Sequence, residues 1–135
     1  MNKSRRKFIG DTGKAAMAGS IILAASNTPK EEMKNIFVHH VYFWLKNKDS
    51  KEDREKLIAG LKKLSAVKTI KQFHIGTPAN TNRDVIDTSY AVSWLALFAN
   101  DADQASYQTD PIHLKFVEEC SSLWTKVIVY DSVNV

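Results

Sequence analysis

The sequence predicts an α+β domain with a ferredoxin-like β-α-β-β-α-β order. Three observations support this fold class: strand-sized apolar segments, amphipathic helical regions, and their order along the chain. Two helices cover only one face of such a sheet, yet the first, third and last predicted strands are apolar on both faces. We therefore expect a second copy of the chain to cover the other face, which predicts a homodimer.

The first predicted strand spans residues 36–45, which are rich in β-branched and aromatic side chains. Side chains alternate between the two faces of a strand. The alternation puts His40 and Tyr42 on one face and His39 and Val41 on the other. Both faces are therefore apolar with one histidine each.

The remaining elements follow from local signals. A capping-box pattern from Ser50 starts a helix, and the Gly76-Thr77-Pro78 turn closes a strand. Asp110 is suited to cap a helix and Pro111 to begin one, so the pair restarts a helix within a longer helical region. In order, we predict a helix over about 51–66, strands over 70–76 and 89–98, a helical region from Asn100 to about Ser122, and a last strand over 126–131.

Residues 1–26 are a different kind of sequence and resemble an export signal. They hold five basic residues against one acid, whereas the other 109 residues carry 14 basic and 14 acidic side chains. The Arg5-Arg6 pair, the following Phe8 and an apolar stretch over 15–25 resemble a twin-arginine signal. We expect cleavage near Ser26, a polar linker over 27–34, and a periplasmic or secreted protein without a stable membrane anchor. The alternative is an uncleaved anchoring helix.

This charge distribution also bears on partners. The formal charge of +4 lies entirely in the segment that we expect to be removed. A mature domain without net charge does not favour nucleic-acid binding, which depends on excess positive charge. We therefore predict no nucleic-acid partner.

The histidines are the main candidates for chemistry. No two of them have the i,i+4 spacing of a helical zinc site, and the single Cys120 forms neither an internal disulfide nor a cysteine-based zinc site. We predict no metal and no cofactor. His113 lies on the same helical arc as Ile112, Phe116, Val117 and Cys120. An imidazole there needs a hydrogen-bond partner or a cavity, and we expect His40 and His113 to meet between sheet and helix. The alternative is that each is a satisfied core histidine.

Three segments carry a resemblance to a known family. They are His40 to Lys46, Tyr107 to Val117 with its spaced Tyr, Pro, His and Phe, and Val129-Tyr130-Asp131. Together they resemble the stress-responsive A/B barrel (Dabb) family over roughly residues 35–133, so the domain prediction is 35–135. The resemblance implies a dimeric α+β barrel.

The resemblance also implies a site. A plant polyketide (olivetolic acid) cyclase of the family uses a His as general base and a Tyr to polarise its substrate. His113 and Tyr107 match these residues, and His40 matches a third cavity histidine. Val92 stands where that enzyme has a further pocket histidine, and Tyr42 and Phe116 complete the expected substrate-binding set. An imidazole base beside a phenol donor suits carbonyl chemistry.

Three functions follow from this site. The first is an exported homodimer that binds a small apolar or carbonyl-containing molecule in a His/Tyr-lined pocket. The second is a cofactor-free lyase, isomerase or cyclase with His113 as acid/base and Tyr107 as its electrostatic partner. The third is a structural dimer without a ligand.

Overall fold

The structure is a computed structural model that describes residues 27–135. The predicted export signal lies outside the described residues, and the 27–34 linker stays a prediction. The described part contains a four-stranded antiparallel sheet and three α-helices, which confirms the predicted α+β ferredoxin-like fold. Its elements are β1 (Phe37–Leu45), α1 (Lys51–Leu64), β2 (Gln72–Gly76), β3 (Val92–Phe98), α2 (Asp101–Thr109), α3 (Pro111–Cys120), a 3-10 turn (Ser121–Leu123) and β4 (Trp124–Val133).

The helices begin where the sequence predicts. The Ser50 hydroxyl accepts a hydrogen bond from the backbone N–H of Asp53 at 3.1 Å and caps α1. The Asp110 carboxylate accepts from the N–H of Ile112 at 2.8 Å, and Pro111 is the first residue of α3. Asp110 thus ends α2 and starts α3, which confirms the predicted restart.

The strands differ from prediction at their ends. Residues 70–71 and 89–91 precede β2 and β3 rather than belonging to them, while β4 begins at Trp124 and extends to Val133. The sheet order is β2-β3-β1-β4, so β1 lies in the centre and pairs with both β3 and β4. β4 extends further than expected because it pairs with β1 along almost the whole of both strands.

The core lies between the helices and one face of the sheet. Val41, Phe43 and Leu45 of β1 point towards the helices and are buried. The other buried core residues are Leu57, Leu61, Leu64, Val67, Val92, Trp94, Ala96, Phe98, Tyr107, Phe116 and Cys120. The opposite side of the sheet, which we call the open face, carries Val38, His40, Tyr42 and Trp44 of β1, all partly exposed.

The predicted helical arc of α3 is only half correct. Phe116 and Cys120 are buried, but Ile112 and Val117 are 37% and 38% exposed. Because α3 packs mainly on α1, the apolar stripe that α3 buries is narrower than the sequence pattern predicts. Within residues 27–135, no helix is long and apolar enough to cross a membrane.

Candidate functional site

Three aromatic polar side chains form a row on the helix-facing side of the sheet. The ring of Tyr107 lies between those of His39 and His113, with centroid distances of 5.5 Å and 4.7 Å. Tyr107 and His39 are buried, whereas His113 is half-buried. We call His39, Tyr107 and His113 the helix-side cluster.

The tautomer of His113 follows from its hydrogen bond. Its Nδ1 lies 3.0 Å from the backbone carbonyl oxygen of Gln108, which only accepts. In the neutral ring Nδ1 therefore carries the proton, and Nε2 holds a free lone pair. Burial lowers the pKa of His113, which outweighs the raising effect of this hydrogen bond. The imidazole is thus a neutral base at pH 7.

Tyr107 is set up as a hydrogen-bond donor. Its hydroxyl oxygen accepts from the indole N–H of Trp94 at 3.2 Å. Burial raises the pKa of Tyr107, which outweighs the lowering effect of that bond. The phenol therefore stays protonated. Because the indole N–H donates to the phenol oxygen, the O–H of the buried Tyr107 side chain can still donate to another acceptor.

His39 is fixed by an acid on the neighbouring strand. Its Nδ1 lies 2.7 Å from Oδ1 of Asp131, the residue directly opposite in the β1–β4 pairing. A carboxylate accepts, so Nδ1 of His39 carries a proton and Nε2 is the remaining ring nitrogen. The imidazole is buried, while the Asp131 side chain is 42% exposed. This pairing orients a second imidazole beside Tyr107.

The expectation that His40 meets His113 is wrong. His40 lies on the open face, where its Nδ1 is 3.3 Å from the Tyr42 hydroxyl. Burial lowers the pKa of His40, and the charges of His74 and His39 lower it further. The physical reason is the two-residue alternation of a strand, which places adjacent histidines on opposite faces. His39 takes the position by Tyr107 that the sequence analysis gave to His40.

The other predicted binding residues are dispersed. Tyr42 contacts Tyr90 and Tyr130 on the open face, with centroids 4.9 Å and 6.1 Å away. Val92 is fully buried on the helix-facing side. Phe116 packs on Trp124 at 5.8 Å and lies 6.5 Å from the His113 ring. Val92 and Phe116 thus belong to the core, and a substrate-binding role for any of the three stays a prediction.

Of the predicted set, the structure brings together Tyr107, His113 and Phe116. His39 and Asp131 are the residues that the site prediction missed. His39 alternates with Val41, Phe43 and Leu45, but both faces of this strand are apolar in sequence, so the alternation alone does not identify His39 as a site residue. Clefts of about 270 to 500 Å³ elsewhere on the surface are lined by other residues than His39, Tyr107 and His113.

The described part of the chain contains no group of side chains that is arranged to bind a metal ion. Among residues 27–135, no three His, Cys, Asp or Glu side chains group as metal ligands do. Within the helix-side cluster, Nε2 of His113 can accept a proton and the O–H of Tyr107 can donate a hydrogen bond.

A family model, the Stress responsive A/B Barrel Domain (Dabb), matches residues 37–134. The chain belongs to the Dabb family. The match includes every strand and helix of the fold and all residues of the helix-side cluster. No protein of curated function matches this Dabb chain.

Solved structures with the same fold include a hydroxynitrile lyase from Passiflora edulis. It is 21% identical with a TM-score of 0.63, and the match covers 76% of this Dabb chain and 96% of the lyase. A Dabb family protein from Mesorhizobium loti is 22% identical with a TM-score of 0.62, over 74% of this chain and 97% of that one. A dimeric ferredoxin-like protein of unknown function from Bacteroides fragilis is 17% identical with a TM-score of 0.59, over 76% and 100%.

Proposed function

We propose that this Dabb protein is a homodimer that binds a small carbonyl-containing molecule at the helix-side cluster. The observation that carries the proposal is the pairing of a protonated phenol, Tyr107, with a neutral imidazole, His113, at a ring distance of 4.7 Å. A carbonyl oxygen accepts from the Tyr107 O–H, and an adjacent hydroxyl or acidic C–H lies towards Nε2 of His113. Binding sites of this kind combine apolar walls with a few polar groups that fix orientation.

The second candidate is a cofactor-free enzyme that uses the same groups. The favouring observation is that the Gln108 carbonyl fixes the His113 tautomer at 3.0 Å, which leaves a base directed away from the backbone. That base removes a proton beside the carbonyl, and Tyr107 stabilises the resulting enolate oxygen. The reaction class is that of a lyase, isomerase or cyclase, in line with the resemblance to a polyketide cyclase.

The homodimer rests on the composition of the open face. Apolar and aromatic residues of β1 there, such as Tyr42 and Trp44, are not covered by any of the helices in residues 27–135. Proteins of this fold from Bacteroides fragilis and Thermobifida fusca are described as dimeric. Leu95 lies near the centre of this face, opposite His40 and His74 in the strand pairing. A Leu95→Lys variant is expected to sediment as a monomer at micromolar concentration, and an unchanged dimer would contradict this interface.

Export is the remaining part of the proposal and depends on the sequence of residues 1–26 alone. The test compares the natural chain with an Arg5→Lys/Arg6→Lys variant in cells of the source. We expect the natural chain outside the cytoplasm and the variant retained within it. Equal distribution of both would refute twin-arginine export.

Native mass spectrometry of protein purified from its own source tests the binding proposal. It reports the number of chains and the mass of any retained molecule together. We expect a dimer with a retained molecule, which His113→Ala and Tyr107→Phe variants lose. His40→Ala is the matched control, because it removes an imidazole from the opposite face. No retained molecule, and no thermal shift with small aldehydes or ketones, would leave the structural dimer as the function.

Isotope exchange separates binding from catalysis. If the protein is an enzyme, we expect the natural chain to catalyse deuterium exchange at the carbon beside the carbonyl of a bound ketone. NMR measures this exchange. His113→Ala then abolishes exchange but keeps most of the affinity. A variant that loses affinity and exchange in equal measure supports a binding protein.

A further inference from the structure

The open face carries a histidine on each side of one leucine. His40 of β1 and His74 of β2 both lie opposite Leu95 of β3 in the strand pairing. Residues directly opposite each other in an antiparallel sheet point to the same side, so all three side chains belong to the open face. This is the face that a second copy of the chain covers in the proposed homodimer. Both imidazoles therefore lie in that interface.

The side chains around the two imidazoles are neutral or positively charged. Tyr42 of β1 and Tyr130 of β4 are phenols beside His40, and β3 contributes no titratable side chain to this face. His74 shares a cleft with Lys71, which adds a positive charge. Among residues 27–135, no carboxylate lies within 4.0 Å of a ring nitrogen of either histidine. Protonated imidazoles on this face therefore have no acid to pair with.

Two further charges lie at one end of the open face. The Lys126 ammonium lies 4.5 Å from the centroid of the Trp44 ring, and Asp87 lines the same cleft. The Asp87 carboxylate accepts a hydrogen bond from the backbone N–H of Ser89 at 2.8 Å. Its contacts with Ser89, and to a smaller extent the charge of Lys126, lower its pKa. Asp87 thus balances the lysine at this end of the face.

His40 is the less exposed of the two histidines and favours the neutral form already in the single chain. Burial lowers its pKa, and the charges of His74 and His39 lower it further. A second copy removes more water from this face. Because that copy presents the same face, it also brings two more imidazoles and another lysine. Protonation within the dimer is therefore opposed by desolvation and by repulsion between like charges.

We propose that acid separates the two copies of this homodimer, with His40 and His74 as the groups that take up the protons. The proposal rests on the homodimer of the proposed function. At neutral pH both imidazoles are uncharged and the two open faces pack together. As the pH falls, the separated chains bind more protons than the dimer does, so protonation favours separation. The new charges lie on both sides of Leu95, where a lysine is expected to break the same interface.

Fluorescence-detected sedimentation of the labelled whole protein, from nanomolar to micromolar concentration, tests this proposal at pH 7.5 and 5.5. We expect a dimer whose Kd is at least about 100-fold weaker at pH 5.5. The exclusion of two of the four protons, at one pH unit below the ordinary histidine pKa of about 6.5, already gives this factor. Circular dichroism at both pH values is expected to show folded chains, which distinguishes separation from unfolding.

The possible outcomes separate this proposal from the homodimer itself. An equally tight dimer at both pH values would overturn the acid switch and leave the homodimer in place. A monomer at pH 7.5 would overturn the homodimer and the switch with it. Unfolding at pH 5.5 that accounts for all of the dissociation would also overturn the switch.

Variants decide which histidines are responsible. His40→Gln/His74→Gln removes both proton-binding groups and is expected to dimerise equally at both pH values. His113→Asn is the matched control, because it removes an imidazole from the helix-facing side, and it is expected to keep the full change in Kd. His74→Gln alone alters only an exposed side chain of β2 and is expected to give a dimer at pH 7.5 with a smaller change. A full change in either glutamine variant would contradict the assignment.

Discussion

The contact between α1 and α3 gives a sharp prediction at Gly60. An added methyl group there would lie 2.5 Å from Sγ of Cys120 and 3.4 Å from Cδ1 of Phe116. Carbon contacts are ordinarily about 3.5–4.0 Å, so the buried Sγ has to move by about 1 Å. Overpacking of this kind costs about 1–3 kcal/mol, while alanine gains about 1 kcal/mol over glycine within a helix. We expect Gly60→Ala to lower the free energy of unfolding by about 1 kcal/mol.

A double-mutant cycle isolates the clash. In a Cys120→Ala background the sulfur is absent, so Gly60→Ala is expected to raise the free energy of unfolding by about 1 kcal/mol. The change of sign corresponds to a coupling of about 2 kcal/mol, measurable by urea denaturation. Ala59→Gly, at an exposed position of the same helix, calibrates the propensity effect alone. Gly60→Ala having the same effect in both backgrounds would refute this packing argument.

Three further predictions concern the helix-side cluster. Tyr107→Phe leaves the buried indole N–H of Trp94 without its acceptor and is expected to cost about 1–3 kcal/mol in urea denaturation, so an unchanged midpoint would contradict that hydrogen bond. Asp131→Ala removes the acceptor of His39 and is expected to lower the free energy of unfolding by about 1 kcal/mol, because water reaches this half-exposed position. The ring ¹⁵N shifts of His39 should then show that the fixed tautomer is lost. The pKa of His113 is lower in the folded chain than its ordinary 6.5, so the unfolded chain binds more protons. Stability is therefore full above about pH 6.5 and falls as the pH drops through the folded pKa, and His113→Asn should flatten that decline in denaturant midpoints between pH 7.5 and 5.

The order of elements was predictable because each depends on local signals. Ser50 and Asp110 are side-chain caps whose hydrogen-bond partners are two or three residues away. The residues that determine these helix starts are therefore close together in the sequence. Strand ends are different, since they depend on pairing with a distant strand. β4 begins at Trp124 because Trp124 pairs with Leu45, 79 positions earlier, after a register shift. No pattern within 126–131 contains that information.

The site was predictable only in part, for a similar reason. Tyr107 and His113 lie six residues apart at the α2–α3 junction, and the motif around Pro111 places them together. His39 depends on which face of β1 receives the helices, and both faces of this strand are apolar in sequence. Asp131 joins the site through its register opposite His39. Neither His39 nor Asp131 could therefore be assigned to the site without the strand pairing and the packing of the sheet.

The pattern of paired and unpaired polar atoms is the basis on which we propose binding rather than a purely structural role for the helix-side cluster. A buried imidazole or phenol costs stability unless it is paired, and an apolar residue of similar size avoids that cost. Here Nδ1 of both imidazoles and the oxygen of Tyr107 are paired with Asp131, Gln108 and Trp94. These contacts fix the orientation of each ring. Within residues 27–135, Nε2 of His113 and the O–H of Tyr107 form no hydrogen bond with another protein group. The recognition of a carbonyl compound that we propose would use these two atoms, which the paired contacts hold in fixed orientations.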